Sequence, residues 1–86
     1  MADRPLHPRP LFYSAHAVQR MQERGFTRED VKRILYLGDA AESSYQKPGS
    51  DHRWARQLIL RDRPAKVIFV EGPEHRIIVT VEWVHD

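Results

Sequence analysis

Two segments in the first half of the chain carry apolar residues at the spacing of a helix. In the first of them, the predicted apolar stripe consists of Ala17, Val18 and Met21. Ser14 is suited to cap the start of this helix because its hydroxyl can accept a free backbone N–H, and Gly25 is suited to end it. The pattern predicts a helix over Ala15–Arg24.

The second segment begins just after this glycine. Thr27 followed by Asp30 has the spacing of a capping box, and Gly38 marks the end of the pattern. The apolar residues between them fall at core spacing: Val31, Ile34 and Leu35. We therefore predict a second helix over Arg28–Leu37, joined to the first by a short corner.

Beyond the second helix, the apolar residues alternate with a period of two. This pattern predicts strands over residues 40–45, 53–61, 66–71 and 76–84, with turns at 62–65 and 72–73. In the last strand, strict alternation assigns one face to Ile77, Val79, Val81 and Trp83 and the other to Ile78, Thr80, Glu82 and Val84. Apolar residues on both faces are typical of a central strand.

The order of these elements predicts an α+β domain in which two N-terminal helices pack on one face of a three- to four-stranded antiparallel sheet. A chain of 86 residues accommodates one such domain. Residues 1–12 contain Pro5, Pro8 and Pro10 and show no periodicity, so we expect a flexible arm there and the domain over residues 13–86.

Composition narrows the function classes. The chain has no cysteine, which excludes disulfides, thiol nucleophiles and cysteine-based zinc sites. No apolar run approaches the roughly 20 residues of a membrane span, so we expect a cytoplasmic protein with no membrane partner. The net charge is only +2, but 11 of the 14 basic residues are arginine, a side chain suited to phosphate.

The first helix carries the most distinctive polar pattern. His16, Arg20 and Arg24 follow one another at intervals of four residues and so form one stripe along the helix. A neutral His16 would act as a general base, and the two arginines would stabilise a charged phosphorane. Alternatively, His16 is a packing residue and the arginines pair with Glu23, Asp30 or a strand carboxylate.

Four further residues are candidates for the same chemistry. Thr80 and Glu82 share a face of the last strand, where polar groups are unexpected, and Glu82 is an alternative base. Arg53 and Arg56 flank Trp54 and would bind a nucleic-acid backbone, although alternation favours Trp54 as a core residue. The histidines lack metal-ligand spacing and no glycine-rich phosphate loop occurs, so we expect neither a metal nor a cofactor.

The residue types and their spacing in this sequence resemble domain-of-unknown-function family 4258. The resemblance covers nearly everything after the proline-rich arm and includes a last strand with Ile78-Val79-Thr80-Val81. Its main motif is Ser14-x-His16-Ala17-x-x-Arg20-Met21-x-Glu23-Arg24-Gly25-Phe26-Thr27-x-x-Asp30-Val31. That family is similar to the RelE/ParE-like toxins, which implies two helices on an antiparallel sheet.

The resemblance also implies a function: metal-independent RNA cleavage, with His16, Arg20, Arg24 and Thr80 as the matching site residues. The partners it implies are RNA or the ribosome, an antitoxin protein and a second copy of the chain. ParE-like toxins of the same fold are not ribonucleases, and the chain has no clear counterpart of the terminal catalytic tyrosine of RelE-like enzymes. A non-catalytic module that binds nucleic acid or protein is therefore the alternative.

Overall fold

A computed structural model describes residues 6–41 and 52–84 of the chain. These residues form two helices and five strands. In chain order the elements are β1 (Leu11–Tyr13), α1 (Ala15–Arg24), α2 (Arg28–Leu37), β2 (Asp39–Ala41), β3 (Trp54–Leu60), β4 (Arg63–Glu71) and β5 (Arg76–Trp83).

The strands of the described residues form one mixed sheet in the order β1-β5-β4-β3-β2. Neighbouring strands are antiparallel except for β1, which runs parallel to β5. The α+β class is therefore confirmed. The prediction of three or four antiparallel strands was wrong, because the sheet gains a fifth, parallel strand from the proline-rich end of the chain.

Both helices have the predicted bounds, and their end residues explain why. The Ser14 hydroxyl accepts the Ala17 N–H at 2.9 Å, and Gly25 ends α1 in the left-handed conformation with φ of 76°. At the start of α2, the Thr27 hydroxyl accepts the Asp30 N–H while the Asp30 carboxylate accepts the Thr27 N–H, so both groups of the capping box are in place.

The core lies between the two helices and one face of the sheet. From the helices and the corner between them it takes Ala17, Met21, Phe26, Val31, Ile34 and Leu35. From the strands it takes Leu60, Ala65, Val67, Phe69, Ile78 and Val81. The periodicity predicts the helical core residues with one exception: Val18, expected in the stripe of α1, is 37% exposed because it lies about 100° around the helix from Ala17.

Strict alternation fails in β5. The pairing of β4 with β5 shifts in register, so that Ile68 lies opposite Thr80 while Phe69 lies opposite Ile78. The shift is a bulge that leaves Val79 without a partner on β4, and the side chains before and after it change faces. Ile78 and Val81 consequently both pack in the core, which corrects the predicted division of this strand into two faces.

The N-terminal segment is tied to the sheet before the predicted domain boundary. Leu11–Tyr13 pairs with β5, and the Arg76 N–H donates to the Pro10 carbonyl at 2.9 Å. The Arg9 guanidinium also donates to the Gly72 carbonyl at 2.8 Å. Residues 6–12 of the expected arm thus include the start of β1 and the segment that precedes it, whereas residues 1–5 lie outside the described part of the chain.

Two smaller differences concern the strands around β3. The turn expected at 62–65 is only Arg61 and Asp62, both with positive φ, so β4 begins at Arg63. The strand expected at 40–45 is observed as Asp39–Ala41, and the rest of that prediction lies outside the described residues.

Neither helix among the described residues is long and apolar enough to cross a membrane.

Candidate functional site

Ser14 fixes the start of α1 against β5 and thereby positions His16. Its backbone N–H donates to the Ile78 carbonyl and its hydroxyl donates to the Val79 carbonyl, each at 3.1 Å. The same hydroxyl oxygen caps the helix. His16 follows two residues later on the first turn, where its side chain is exposed beside the bulged part of β5.

A cavity of about 370 Å³ opens at this place. Its walls are Ser14, His16, Arg53, Val79 and Thr80, and we call it the His16 cavity. It brings together three of the residues that the sequence singles out: His16 from α1, Arg53 from the start of β3 and Thr80 from β5. They are far apart in the chain, so the cavity exists only in the folded domain.

Thr80 reaches this cavity because of the bulge. Thr80 is 8% exposed and lies opposite Ile68 in the sheet. The register shift turns Thr80 away from the face that carries Ile78 and Val81, which belong to the core. Thr80, whose polar side chain was unexpected in this apolar strand, therefore forms part of the wall of the His16 cavity.

The two arginines of the predicted stripe do not line the His16 cavity. Arg20 forms an ion pair with Glu23 at 2.8 Å on the surface of the helix, which is the alternative that the sequence left open. Arg24 donates to the Val81 carbonyl at 2.8 Å, and its own carbonyl accepts the Trp83 indole N–H at 3.1 Å. Arg24 thus joins the end of α1 to the edge of β5.

Arg56 and Glu82 also lie outside the cavity. The Arg56 guanidinium donates to the Gly38 carbonyl at 3.3 Å, which connects β3 to the end of α2. Glu82 lies opposite Lys66 in the register of β4 and β5. The alternative base, Glu82, therefore does not line the cavity to which Arg53 belongs.

Trp54 was expected in the core and is instead 51% exposed. It is the first residue of β3 and lies opposite the core residue Phe69. The His52 ring meets it edge to face at 4.4 Å, so an aromatic pair lies on the surface. Alternation thus gave the face of Trp54 correctly, since Phe69 opposite it belongs to the core, but did not predict its exposure.

The His16 cavity offers a base, a hydroxyl and a guanidinium. This set can accept a proton, donate a hydrogen bond and hold an anion, which together suit a phosphodiester better than a neutral substrate. Among residues 6–41 and 52–84, no three histidine or acidic side chains come together in a way that could hold a metal ion.

Comparison with known proteins gives one match. The model of the family described as Domain of unknown function (DUF4258) matches residues 13–83. This range extends from Tyr13 in β1 to Trp83 at the end of β5 and so includes all five residues of the His16 cavity. No curated protein and no solved structure matches the chain.

Proposed function

Because the chain belongs to the DUF4258 family, whose description names no activity, we propose a function from the site itself: metal-independent cleavage of RNA in the His16 cavity. The observation that supports it is that His16, Arg53 and Thr80 line the same cavity. The relationship to RelE/ParE-like toxins, and with it a cytoplasmic RNA or ribosome target, is part of this proposal.

In the proposed reaction, the His16 imidazole takes the proton of a ribose 2′-hydroxyl. The 2′-oxygen attacks the adjacent phosphorus, and the bond from phosphorus to the 5′-oxygen of the next nucleotide breaks. The leaving oxygen takes a proton from water or from the imidazolium. The products are a 2′,3′-cyclic phosphate and a 5′-hydroxyl, so neither a metal ion nor a cofactor is required.

Arg53 and Thr80 have supporting roles in this scheme. The Arg53 guanidinium would stabilise the additional negative charge of the phosphorane, and the Thr80 hydroxyl would donate to a non-bridging oxygen. Preorganised donors of this kind are commonly worth about 10²- to 10³-fold in rate. Arg20 and Arg24 have no direct part, since Glu23 and the Val81 carbonyl hold them elsewhere.

The test is cleavage of an end-labelled RNA in the presence of EDTA. We expect His16→Ala to lower the rate about 10²- to 10⁴-fold, the usual contribution of a general base. His7→Ala is the matched control, because His7 is also exposed but does not line the cavity. Absence of cleavage of any RNA or ribosome preparation, or equal rates for the two variants, would refute the proposal.

The alternative is a module that binds nucleic acid or a partner protein without turnover. One observation favours it: two of the three residues in the predicted catalytic stripe, Arg20 and Arg24, hold the fold together or pair on the surface. This module would bind RNA in a salt-dependent way but leave it intact. Toxicity on expression that His16→Ala relieves would favour the enzyme and an antitoxin partner.

A further inference from the structure

A second cavity, of about 450 Å³, lies between the N-terminal segment and α2. It shares no residue with the His16 cavity. The side chains important here are Arg9 and Tyr13 on one side and Arg28, Lys32 and Tyr36 on α2, and we call it the Tyr13 cavity. Its walls thus hold three cations and two phenols.

Arg28 and Lys32 lie one helical turn apart and present their charges to the same space. Within the described parts of the chain, neither has a carboxylate within ion-pair distance. Arg9, on the opposite wall, is held by the Gly72 carbonyl at 2.8 Å and lies 3.8 Å from Glu71. The cavity therefore has an excess of positive charge.

The Tyr13 hydroxyl is buried and has no hydrogen-bond partner among the described residues. Such a group costs about 1–3 kcal/mol when it is buried without a partner, so its presence calls for an explanation. Burial raises the pKa of Tyr13, although the nearby Arg28 works in the opposite direction. The hydroxyl therefore keeps its proton at neutral pH and can donate a hydrogen bond to an acceptor.

We propose that the Tyr13 cavity binds a phosphate dianion, free or carried by a small monoester, through Arg28 and Lys32 and a hydrogen bond from the Tyr13 hydroxyl. A phosphate dianion matches in charge Arg28 and Lys32, which have no ion-pair partner in residues 6–41 and 52–84. Its three terminal oxygens provide enough acceptors for a guanidinium, an ammonium and a phenol.

Binding requires one movement. The Arg28 guanidinium lies over the Tyr13 ring, 5.0 Å from its centre, and the Tyr13 hydroxyl is buried. Arg28 is exposed, so its side chain can turn towards the ligand at little cost, and in the proposed complex this movement opens the Tyr13 side chain to the phosphate. A volume of 450 Å³ lies in the range of small-molecule sites and would hold either free phosphate or a nucleotide.

The experiment is a titration of the full chain with inorganic phosphate, adenosine 5′-monophosphate and adenosine, followed by amide NMR shifts. We expect saturable shifts at the start of α2 and in β1 with both phosphate probes and none with adenosine. Similar affinities would identify the free anion as the ligand, and at least tenfold tighter nucleotide binding would identify a nucleotide. Shifts with adenosine alone, or no saturable shifts, would overturn the proposal.

Variants locate the binding in this cavity. We expect Arg28→Ala, Lys32→Ala and Tyr13→Phe each to weaken phosphate binding about tenfold, which corresponds to about 1.4 kcal/mol. Arg33→Ala is the matched control, an exposed arginine on the same helix that does not line the cavity. Equal weakening by Arg33→Ala and Arg28→Ala would show diffuse charge attraction and overturn the proposal.

Tyr13→Phe separates ligand binding from folding. The variant keeps the ring beneath Arg28 and removes only an unpartnered hydroxyl, so the ligand-free protein should unfold at the same or a higher urea concentration. Unchanged phosphate affinity in this folded variant would overturn the assigned role of the hydroxyl. The outcome is independent of RNA cleavage, since His16→Ala should leave phosphate binding in the Tyr13 cavity intact.

Discussion

Arg76 and Glu71 lie opposite each other at the end of the β4–β5 pair and form a two-pronged ion pair. The Arg76 Nη2 donates to Glu71 Oε2 at 3.2 Å, and its Nε donates to Oε1. Arg76 is 1% exposed and also donates to the Tyr36 hydroxyl at 3.4 Å. This pair stabilises the end of the sheet where β1 joins it.

Replacing Glu71 should therefore destabilise the domain. In Glu71→Gln the buried Arg76 loses its counter-charge, and breaking such a pair typically costs about 3–5 kcal/mol. Since the Glu71 side chain is 32% exposed, water compensates in part and we expect about 2 kcal/mol. Urea unfolding measures the loss, with the exposed Glu74→Gln as the control, and equal stability of the two variants would contradict the assignment.

Acid should weaken the same contact. The hydrogen bond and charge of Arg76 lower the pKa of Glu71 against the effect of its burial. Burial opposes a low pKa for Asp30 as well, but the Thr27 N–H and Arg61 lower it overall. The ordinary values of these two carboxyls are 3.8 for Asp30 and 4.5 for Glu71.

Lowered pKa values in the fold mean that the unfolded chain takes up protons first as the pH falls. The stabilisation is fully present above the ordinary values and is lost as the pH falls through the lowered ones. Urea unfolding between pH 7 and pH 3 should show this decline. The double variant Asp30→Asn, Glu71→Gln should be less stable at pH 7, but its free energy of unfolding should change less with pH. A decline as steep as that of the unchanged protein would show that these two carboxyls do not cause the pH dependence.

The helices were predictable because their signals are local. In each helix the N-cap residue, the apolar stripe and the terminal glycine lie within about a dozen residues; in α1 the two ends are Ser14 and Gly25. Most of the sheet followed from alternation, which is also a local pattern. Sequence reasoning could therefore give the α+β class and the position of His16 at the start of α1.

What could not be predicted depends on contacts between distant segments. β1 has only three residues and becomes a strand because Arg76 and Ile78 pair with it. The bulge at Val79, which turns Thr80 towards His16, arises in the pairing with β4. The Tyr13 cavity requires the proline-rich segment to lie against α2, for which Arg28 and Lys32 at helical spacing were the only local signal.

Two glycines should respond differently to the same substitution. A Cβ on Gly38 would collide with the Ile34 carbonyl and lie 2.6 Å from the Gln57 carbonyl, whereas one on Gly25 would meet nothing within 4 Å. Gly25 is needed only for its positive φ, which asparagine tolerates. We expect Gly38→Asn to cost about 2–3 kcal/mol and Gly25→Asn less than about 1 kcal/mol. Thermal unfolding of the two variants tests the order, and the reverse order would refute the explanation.

The turn between β3 and β4 offers a stabilising change. Arg61 and Asp62 have φ of 47° and 65°, as a two-residue type I′ turn requires, although neither is glycine. Asp62→Gly should raise the free energy of unfolding by up to about 1 kcal/mol, and Asp62→Val should lower it, since a β-branched residue tolerates this region worst. Urea midpoints should rank glycine above aspartate above valine, and any other order would exclude strain at this position.

Arg20 and Arg24 provide the sharpest test of the stripe on α1. Arg24 donates to the Val81 carbonyl across 57 positions of the chain, whereas the partner of Arg20 among the described residues is Glu23, on the helix surface. Arg24→Gln should therefore lower the free energy of unfolding by about 1–2 kcal/mol, the usual effect of losing a charged hydrogen bond, and Arg20→Gln by less than about 0.5 kcal/mol.

The same two variants separate stabilisation from catalysis. At a temperature where both remain folded by circular dichroism, each should cleave RNA within a few-fold of the unchanged protein, while His16→Ala does not. A loss of about a hundredfold in folded Arg20→Gln would mean that this side chain leaves Glu23 to reach the substrate. The stripe would then act as one catalytic surface, and the assignment of the reaction to the His16 cavity alone would be wrong.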